Sequence, residues 1–491
     1  MELARMICGT IPPRREFISS AQNVSLEALT AFIASDAFQA PPAAGQIRII
    51  VAALVRILAQ STTSLAVLKS KYPTLSRAKI DLNRMSGDNL SPRERRRSFF
   101  TQEATAVQSG TPRSSMQVDF TEEQNSVLAL KNLKLVCEMN NASLIRTGLD
   151  SLMDELASLN SSNSTDDYPA WTVDLVTLVL SWLSIQHRYL TVIASLEDLD
   201  LPGLKKDKSI SSSKQELMLT IVEGILTTGE SLIGLNVIDI LNSLIERIAI
   251  QINTQRAAAG EVVQKLVNCI IGLAGHTYYS DQISDMCSAI TEWSRPLFAA
   301  LNRVSGKESP AIEGDDDALN VKTGAIWSLR ALKGVLEKRA ESVSLEEVWS
   351  GTEGGLAGRD GDVRMEYVDA LVTHLRSEHP GDDEKNVPSS IQFLTMIHVP
   401  IFYALRSPDA TAPDYWSIWV LLLVLLEKFK VKEVTKALPM IWRLLDIAPQ
   451  TLTCEARTCI EAIFLGFLAV ASELFQIPEL KSSASKVCSI E

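Results

Sequence analysis

From Val237 onward the apolar side chains recur at Val237, Ile238, Leu241, Leu244, Ile245 and Ile248, a spacing that paints one broad face of a helix. The same rhythm returns at 25–35, 46–60, 122–138, 143–159, 217–226, 262–275, 282–301, 318–339, 363–376, 390–405, 415–430, 434–447 and 454–475. No period-2 run of strand length, bounded by turn residues, interrupts it. A helix with one apolar face has to bury it, and a pair of such helices still leaves surface that only a neighbouring pair can cover. The pattern therefore predicts an all-α chain, a HEAT/armadillo-like α-solenoid rod of antiparallel helical hairpins. Short breaks suggest the partners: 217–226 with the helix from Val237, across Thr227-Thr228-Gly229-Glu230, then 25–35 with 46–60, 122–138 with 143–159 and 262–275 with 282–301.

Composition closes off the alternatives. Gly (23) and Pro (19) are scarce in 491 residues, which disfavours a turn-rich all-β fold. With 46% hydrophobic and 22% charged residues the chain is not of the disordered class. A formal charge of -12 argues against nucleic acid as a partner of the surface as a whole. The longest apolar run, Ile418–Leu426, is far shorter than the ~20 residues of a bilayer span and reads as a buried helix. Seven scattered cysteines suit a reducing compartment. Met1–Ser20 lacks the continuous apolar stretch of a secretory signal.

Breaks in the rhythm divide the chain. Residues 1–70 read as the first helical repeats and 71–120 as a polar, partly basic loop expected to be disordered. Residues 121–303 read as central repeats, 304–317 as an acidic loop ending in Gly314-Asp315-Asp316-Asp317, and 318–491 as C-terminal repeats. Within the first loop, Arg93, Arg95, Arg96 and Arg97 could touch anionic lipid, each basic residue being worth about 1 kcal/mol near such a surface. Ser98 follows them in the context a basophilic kinase accepts, and a phosphate there would cancel much of the local charge. The plain reading is a solvated charged loop.

Signatures of catalysis are not in the sequence: there is no GxxxxGK[ST], HExxH, CxxC or GxSxG. Gly351, Gly354, Gly355 and Gly358 miss the GxGxxG spacing and follow a helix, so they read as a turn between repeats. His276, beside Tyr278, Tyr279 and Asp281, reads as a corner where one helix ends and the next begins. Cys454 and Cys459 read as buried thiols and not as half of a zinc site. No catalytic, cofactor-binding or metal-ligating residue is assigned, and neither a cofactor nor a small-molecule substrate is expected. A dispersed active site would instead require a pocket holding several polar groups of shifted pKa.

The stretch Leu356–Arg364, followed by Tyr367, Ala370 and Leu371, resembles the inter-helix turn and second helix of a HEAT repeat. There Asp362 is expected to cap the helix, Val363 to pack inward and Arg364 to reach the acidic turn of a neighbouring repeat.

Several stretches together resemble the eighty-five-requiring (Efr) family of fungal plasma-membrane scaffolds. They are Ser231–Ile245 (SLIGLNVIDILNSLI), Lys265–Ile270 (KLVNCI), His276–Met286 (HTYYSDQISDM), Gly361–Arg364 through Tyr367–Leu371, and more faintly Ser25–Ala31 with Ala34–Ala37. The loop with Arg95, Arg96, Arg97 and Ser98 also has a counterpart, so the resemblance runs from about Ser25 to Leu375. It implies a rod at the inner face of the plasma membrane that anchors a phosphatidylinositol 4-kinase complex by binding a tetratricopeptide-type adaptor. The family's basic N-terminal membrane anchor has no equivalent in Met1–Asn23, so contact with the anionic membrane is expected from an upstream segment or elsewhere. The alternative is a soluble cytosolic α-solenoid adaptor in transport or complex assembly.

Overall fold

The computed structural model describes residues 18–35, 38, 44–61, 63–68, 70, 116–162, 167–197, 199, 208–254, 259–277, 280–304, 315–339, 343–377, 387–477 and 479. Among them the regular structure is entirely helical. The chain divides into two compact units, Met1–Leu235 and Asn236–Glu491.

The first unit contains α1 (Ile18–Ile33), α2 (Ala44–Gln60), α3 (Met116–Cys137), α4 (Ala142–Ser162), α5 (Tyr168–Trp182), α6 (Tyr189–Glu197) and α7 (Lys208–Thr227). Its helices form two layers: α1 packs on α3 and α3 on α5, while α2 packs on α4 and α4 on α6 and α7. Buried polar groups fix both contacts. Asn132 on α3 donates to the Leu26 carbonyl of α1 at 2.9 Å and accepts the Thr30 hydroxyl at 2.7 Å. Arg56 on α2 forks onto the buried Glu155 of α4 at 2.5 and 2.9 Å.

The second unit contains α8 (Val237–Thr254), α9 (Ala259–Ala274), α10 (Ser280–Val304), α11 (Asp315–Arg339), α12 (Leu345–Trp349), α13 (Gly354–Ala357), α14 (Gly361–Ser377), α15 (Val387–Leu405), α16 (Ala412–Phe429), α17 (Val431–Thr451) and α18 (Cys454–Leu474). It too has two layers. One runs α8, α10, α12 with α13, α15, α17; the other runs α9, α11, α14, α16, α18. Each helix packs on the next of its own layer, and α8/α9, α10/α11, α13/α14, α15/α16 and α17/α18 join the layers. Repeated helical pairs, each covering the next, are the all-α solenoid the periodicity predicts.

Pairing within that stack differs from the expectation. The helix at 262–275 pairs with the one before it, and 280–304 pairs with 315–339; α7 packs on α4, α5 and α6 of the first unit. Connector length was a poor guide because the α10–α11 pair is joined by the longer segment 305–314. Two boundaries also move: α3 begins at Met116, inside the stretch read as loop to 120, and α11 begins at Asp315, inside the acidic loop.

Within the second layer neighbours run parallel. Lys322, Arg330 and Lys333 of α11 meet Asp362, Glu366 and Asp369 of α14 in the same order, each at 2.6 Å. Helices inside such a layer are covered on more than one side, so their apolar surface is broader than a single stripe. The run from Ile418 is the clearest case: Ile418, Leu421, Leu422, Val424, Leu425 and Leu426 of α16 are all buried. No helix among the described residues is long and apolar enough to cross a membrane.

Where α12 and α13 meet α14, the core is aromatic and polar together. Trp349 and Tyr367 cross edge-on with ring centroids 4.9 Å apart, and Tyr367 meets Phe298 of α10 at 6.3 Å. A Cβ on Gly355 would fall 2.9 Å from the Tyr367 ring and 3.0 Å from the Phe298 ring, so only glycine lets α13 approach this closely. Trp349 Nε1, which can only donate, points at His374 Nδ1 from 3.0 Å, while His374 Nε2 lies 3.2 Å from the Val343 carbonyl. That geometry fits the neutral ring protonated on Nε2. Burial lowers the His374 pKa to about 4, against the favourable Val343 hydrogen bond.

A histidine held below its unfolded pKa of about 6.5 favours the folded state fully above that pH and ceases to do so as pH falls toward 4. The gap of about 2.5 pH units corresponds to about 3 kcal/mol. Urea unfolding at pH 7 and pH 4.5 should therefore show a steeper acid loss in the wild type than in His374→Gln. Equal slopes would refute the neutral-histidine assignment.

Candidate functional site

The glycine-rich turn before α14 is where the sequence concentrates its signature, and the structure reassigns one role there. The cap is Asp360, whose Oδ1 accepts the Val363 N–H at 3.1 Å. Asp362 lies one position inside the helix and pairs with Lys322 instead. The two aspartates flank Gly361, and a two-residue shift of the helix start would hand the cap to Asp362. Val363 is buried, as expected.

Arg364 does reach the acidic turn of the next repeat. It is 0% exposed, and its Nε donates to Asp414 Oδ1 of α16 at 3.0 Å. Nη2 lies 3.0 Å from the same oxygen but off the line of its own N–H bonds, while Nη1 donates to the Gly358 carbonyl at 2.5 Å. One side chain thus ties the end of α13, the start of α14 and the start of α16. Asp414 Oδ2 accepts both the N–H and the hydroxyl of Thr411 at 2.8 Å. Burial alone would raise the Asp414 pKa, but the hydrogen bonds from Arg364 and Thr411 win and hold it below the usual value. Gly361 leaves room for this carboxylate, since a Cβ there would sit 3.2 Å from Oδ1. The partner was within reach of the sequence: Thr411-x-x-Asp414 before an apolar run is a capping-box pattern.

A cleft of about 500 Å³ opens beside this turn, lined in part by Lys322, Gly358, Arg359, Asp360 and Asp409. Its central polar groups already have structural work. Lys322 bridges Asp360 at 2.9 Å and Asp362 at 2.6 Å, and Asp360 caps α14. With Gly355 wedged between rings, the glycines form a turn between repeats, as their spacing suggested. Among the described residues no group of three or more His, Cys, Asp or Glu is placed to hold a metal.

Other sequence candidates sort as follows. His276 is buried just past the end of α9 and Ser280 opens α10, which is the expected corner; Tyr278 and Tyr279 lie outside the described residues. Cys454 is exposed and Cys459 half-buried, which corrects the expectation of buried thiols: both precede the face of α18 that turns inward from Ile460. Burial pushes the Cys137 and Cys287 thiols up to about 12, so neither supplies a thiolate near neutral pH. Arg93, Arg95, Arg96, Arg97 and Ser98 lie outside the described residues.

Breaking one side of a buried ion pair strands the other charge, at a cost of about 3–5 kcal/mol, whereas an exposed pair is worth about 0–1. Arg364→Met should therefore lower the chemical unfolding midpoint far more than Lys333→Ala, and Arg364→Met with Asp414→Leu should recover part of the loss. Equal effects of the two single substitutions would contradict the role assigned to Arg364.

Comparison with known proteins gives this architecture its relatives. The family model described as EFR3 protein matches residues 54–297. Protein EFR3 of Gibberella zeae is 25% identical over 454 residues, covering 73% of this chain and 40% of the relative. Protein efr3 of Aspergillus oryzae is 24% identical over 394 residues, covering 63% and 34%, and protein efr3 of Emericella nidulans 24% over 547 residues, covering 92% and 46%. The chain thus spans less than half the length of these relatives. No solved structure matches it. The matched region holds Ser231–Met286, the most specific stretch of the sequence resemblance, and like the fungal relatives it makes the chain similar to the EFR3 family.

Proposed function

We propose that this chain is a non-catalytic scaffold, peripheral to the cytoplasmic face of the plasma membrane, that helps recruit a phosphatidylinositol 4-kinase complex through a tetratricopeptide-type adaptor. One observation carries the scaffold reading: polar side chains buried in the second unit join one repeat element to the next. Arg364 holds Asp414, His374 holds Trp349 and the Val343 carbonyl, and His398 of α15 holds Glu433 of α17 at 3.0 Å. Groups engaged in this way set the angle between repeats instead of meeting a substrate. Similarity to the EFR3 family supports the same reading.

The membrane and kinase parts rest on sequence resemblance and on charge. Arg93, Arg95, Arg96 and Arg97 offer about 1 kcal/mol each at an anionic surface, enough to act against a chain charge of -12. A phosphate on Ser98 would oppose them. The second reading, a soluble adaptor without lipid contact, is favoured by that same net charge.

Flotation with phosphatidylserine vesicles at about 0.1 M salt separates the two. The scaffold reading expects binding that weakens at least tenfold when all four arginines become glutamine, and partly in Ser98→Glu. It also expects phosphatidylinositol 4-kinase activity to co-purify with the tagged chain from fungal plasma membranes. Vesicle binding indifferent to the four arginines removes the lipid role of this loop; absence of the kinase favours the soluble adaptor.

A further inference from the structure

The first layer of the second unit has one irregular position. Its members α8, α10, α15 and α17 are helices of 18, 25, 19 and 21 residues, but among the described residues the place between α10 and α15 is held by α12, of five residues, and α13, of four. The chain bends between these two at Gly351, whose φ of 79° is left-handed. A four-residue helix rises about 6 Å and a nineteen-residue helix about 28 Å. Among the described residues, much of one flank of α15 therefore has no helix of its own layer beside it.

That flank borders a groove of about 560 Å³, lined by Glu353 and Ala357 on one side and Thr395, Met396, Val399 and Tyr403 on the other. Thr395, Val399 and Tyr403 recur every four residues, the spacing of one ridge of a helix, and Ile391 extends it by a turn. The ridge is uncharged, yet Val399 is 55% exposed and Tyr403 56%. On the opposite faces of α15, Phe393, Leu394, Ile397 and Ile401 are fully buried against their neighbours. Glu353 is the one carboxylate in the lining, and its Oε1 accepts the Gly351 N–H at 2.9 Å.

Three observations fit one occupant. The groove lies where the layer elsewhere holds a full helix. Its α15 wall carries a ridge that interdigitates with the i, i+4 ridge of another helix. Its lining carries one carboxylate, Glu353, at the α13 side, a charge that a basic residue on a bound helix would meet. We propose that the α13–α15 groove docks an amphipathic helix of a partner protein. The partner would set aliphatic side chains at i, i+4 and i+7 against Met396, Val399 and Tyr403, with a Lys or Arg at the Glu353 end. This rests on the scaffold reading only in that a scaffold holds a partner; it stands or falls by peptide binding, not by kinase recruitment.

The test is a displayed library of sixteen-residue helical peptides, selected against the purified full chain and counter-selected against the double variant Val399→Glu, Tyr403→Glu. Selected peptides are then titrated by fluorescence anisotropy. They should share aliphatic residues at i, i+4 and i+7 and one flanking base. Their affinity should fall at least tenfold with Val399→Glu and with the milder Glu353→Gln, and stay unchanged with Trp442→Glu on α17. A selection that yields no peptide separating wild type from the double variant overturns the proposal. So does a shared pattern without the base, a wild-type dimer that Val399→Glu dissociates, or binding to anionic vesicles that Val399→Glu abolishes. Glu353→Gln keeps the answer readable should the double variant fold poorly, because it alters a single half-exposed side chain.

Discussion

Each helix in the second layer of the C-terminal unit carries an apolar surface too broad for a single partner to cover, and the rest of the unit follows from how that surface is shared among neighbours. α16 shows this most plainly: its buried residues, from Tyr415 and Ile418 to Phe429, spread well beyond one narrow stripe, because α14, α15, α17 and α18 all pack on it, while Trp416 stays exposed. Burial of such side chains contributes about 1.5–3 kcal/mol each before the entropy of ordering is subtracted. That gain exists only while the neighbouring repeats are in place. Folding is thus coupled between adjacent repeats and only weakly between distant ones.

Hydrophobic contact does not by itself set the angle or register between repeats, and the polar contacts supply that. Arg364 specifies one register at the N-terminal ends of α14 and α16, and Lys428 donating to the Leu375 carbonyl at 3.1 Å specifies it again at their C-terminal ends. The ladder from Lys322–Asp362 to Lys333–Asp369 does the same, more weakly, on the exposed side of α11 and α14. A structure whose buried polar groups are committed in this way is suited to presenting surfaces in fixed positions, which is the property a scaffold needs.

Much of the fold was legible in the sequence because helical period reports directly on which faces are covered. The run at Ile418–Leu426 could only be a helix buried on several sides, and it is. Pairing was less legible. The choice of α9 with α10 followed connector length, whereas the true pairs follow which apolar faces match, and faces turned toward distant helices leave no local mark. The interval at α12 and α13 escaped because helices of five and four residues complete barely a turn and show no period. Asp360 and Asp362 were interchangeable on sequence grounds until the helix start was fixed. Asp414, by contrast, announced itself through its spacing from Thr411. The family likeness came from specific strings such as Ser231–Ile245, which periodicity alone would not have distinguished from any other helix.

Local coupling between repeats is tested most directly at Gly466, where a Cβ would fall 2.7 Å from the Trp419 ring and so wedge α18 away from α16. Hydrogen exchange of wild type and Gly466→Val, followed by mass spectrometry, reads the result helix by helix. The account predicts lost protection in α16, α17 and α18, with α8, α9 and α10 unchanged. Uniform loss across all helices of the second unit, or no loss in α16, would contradict it.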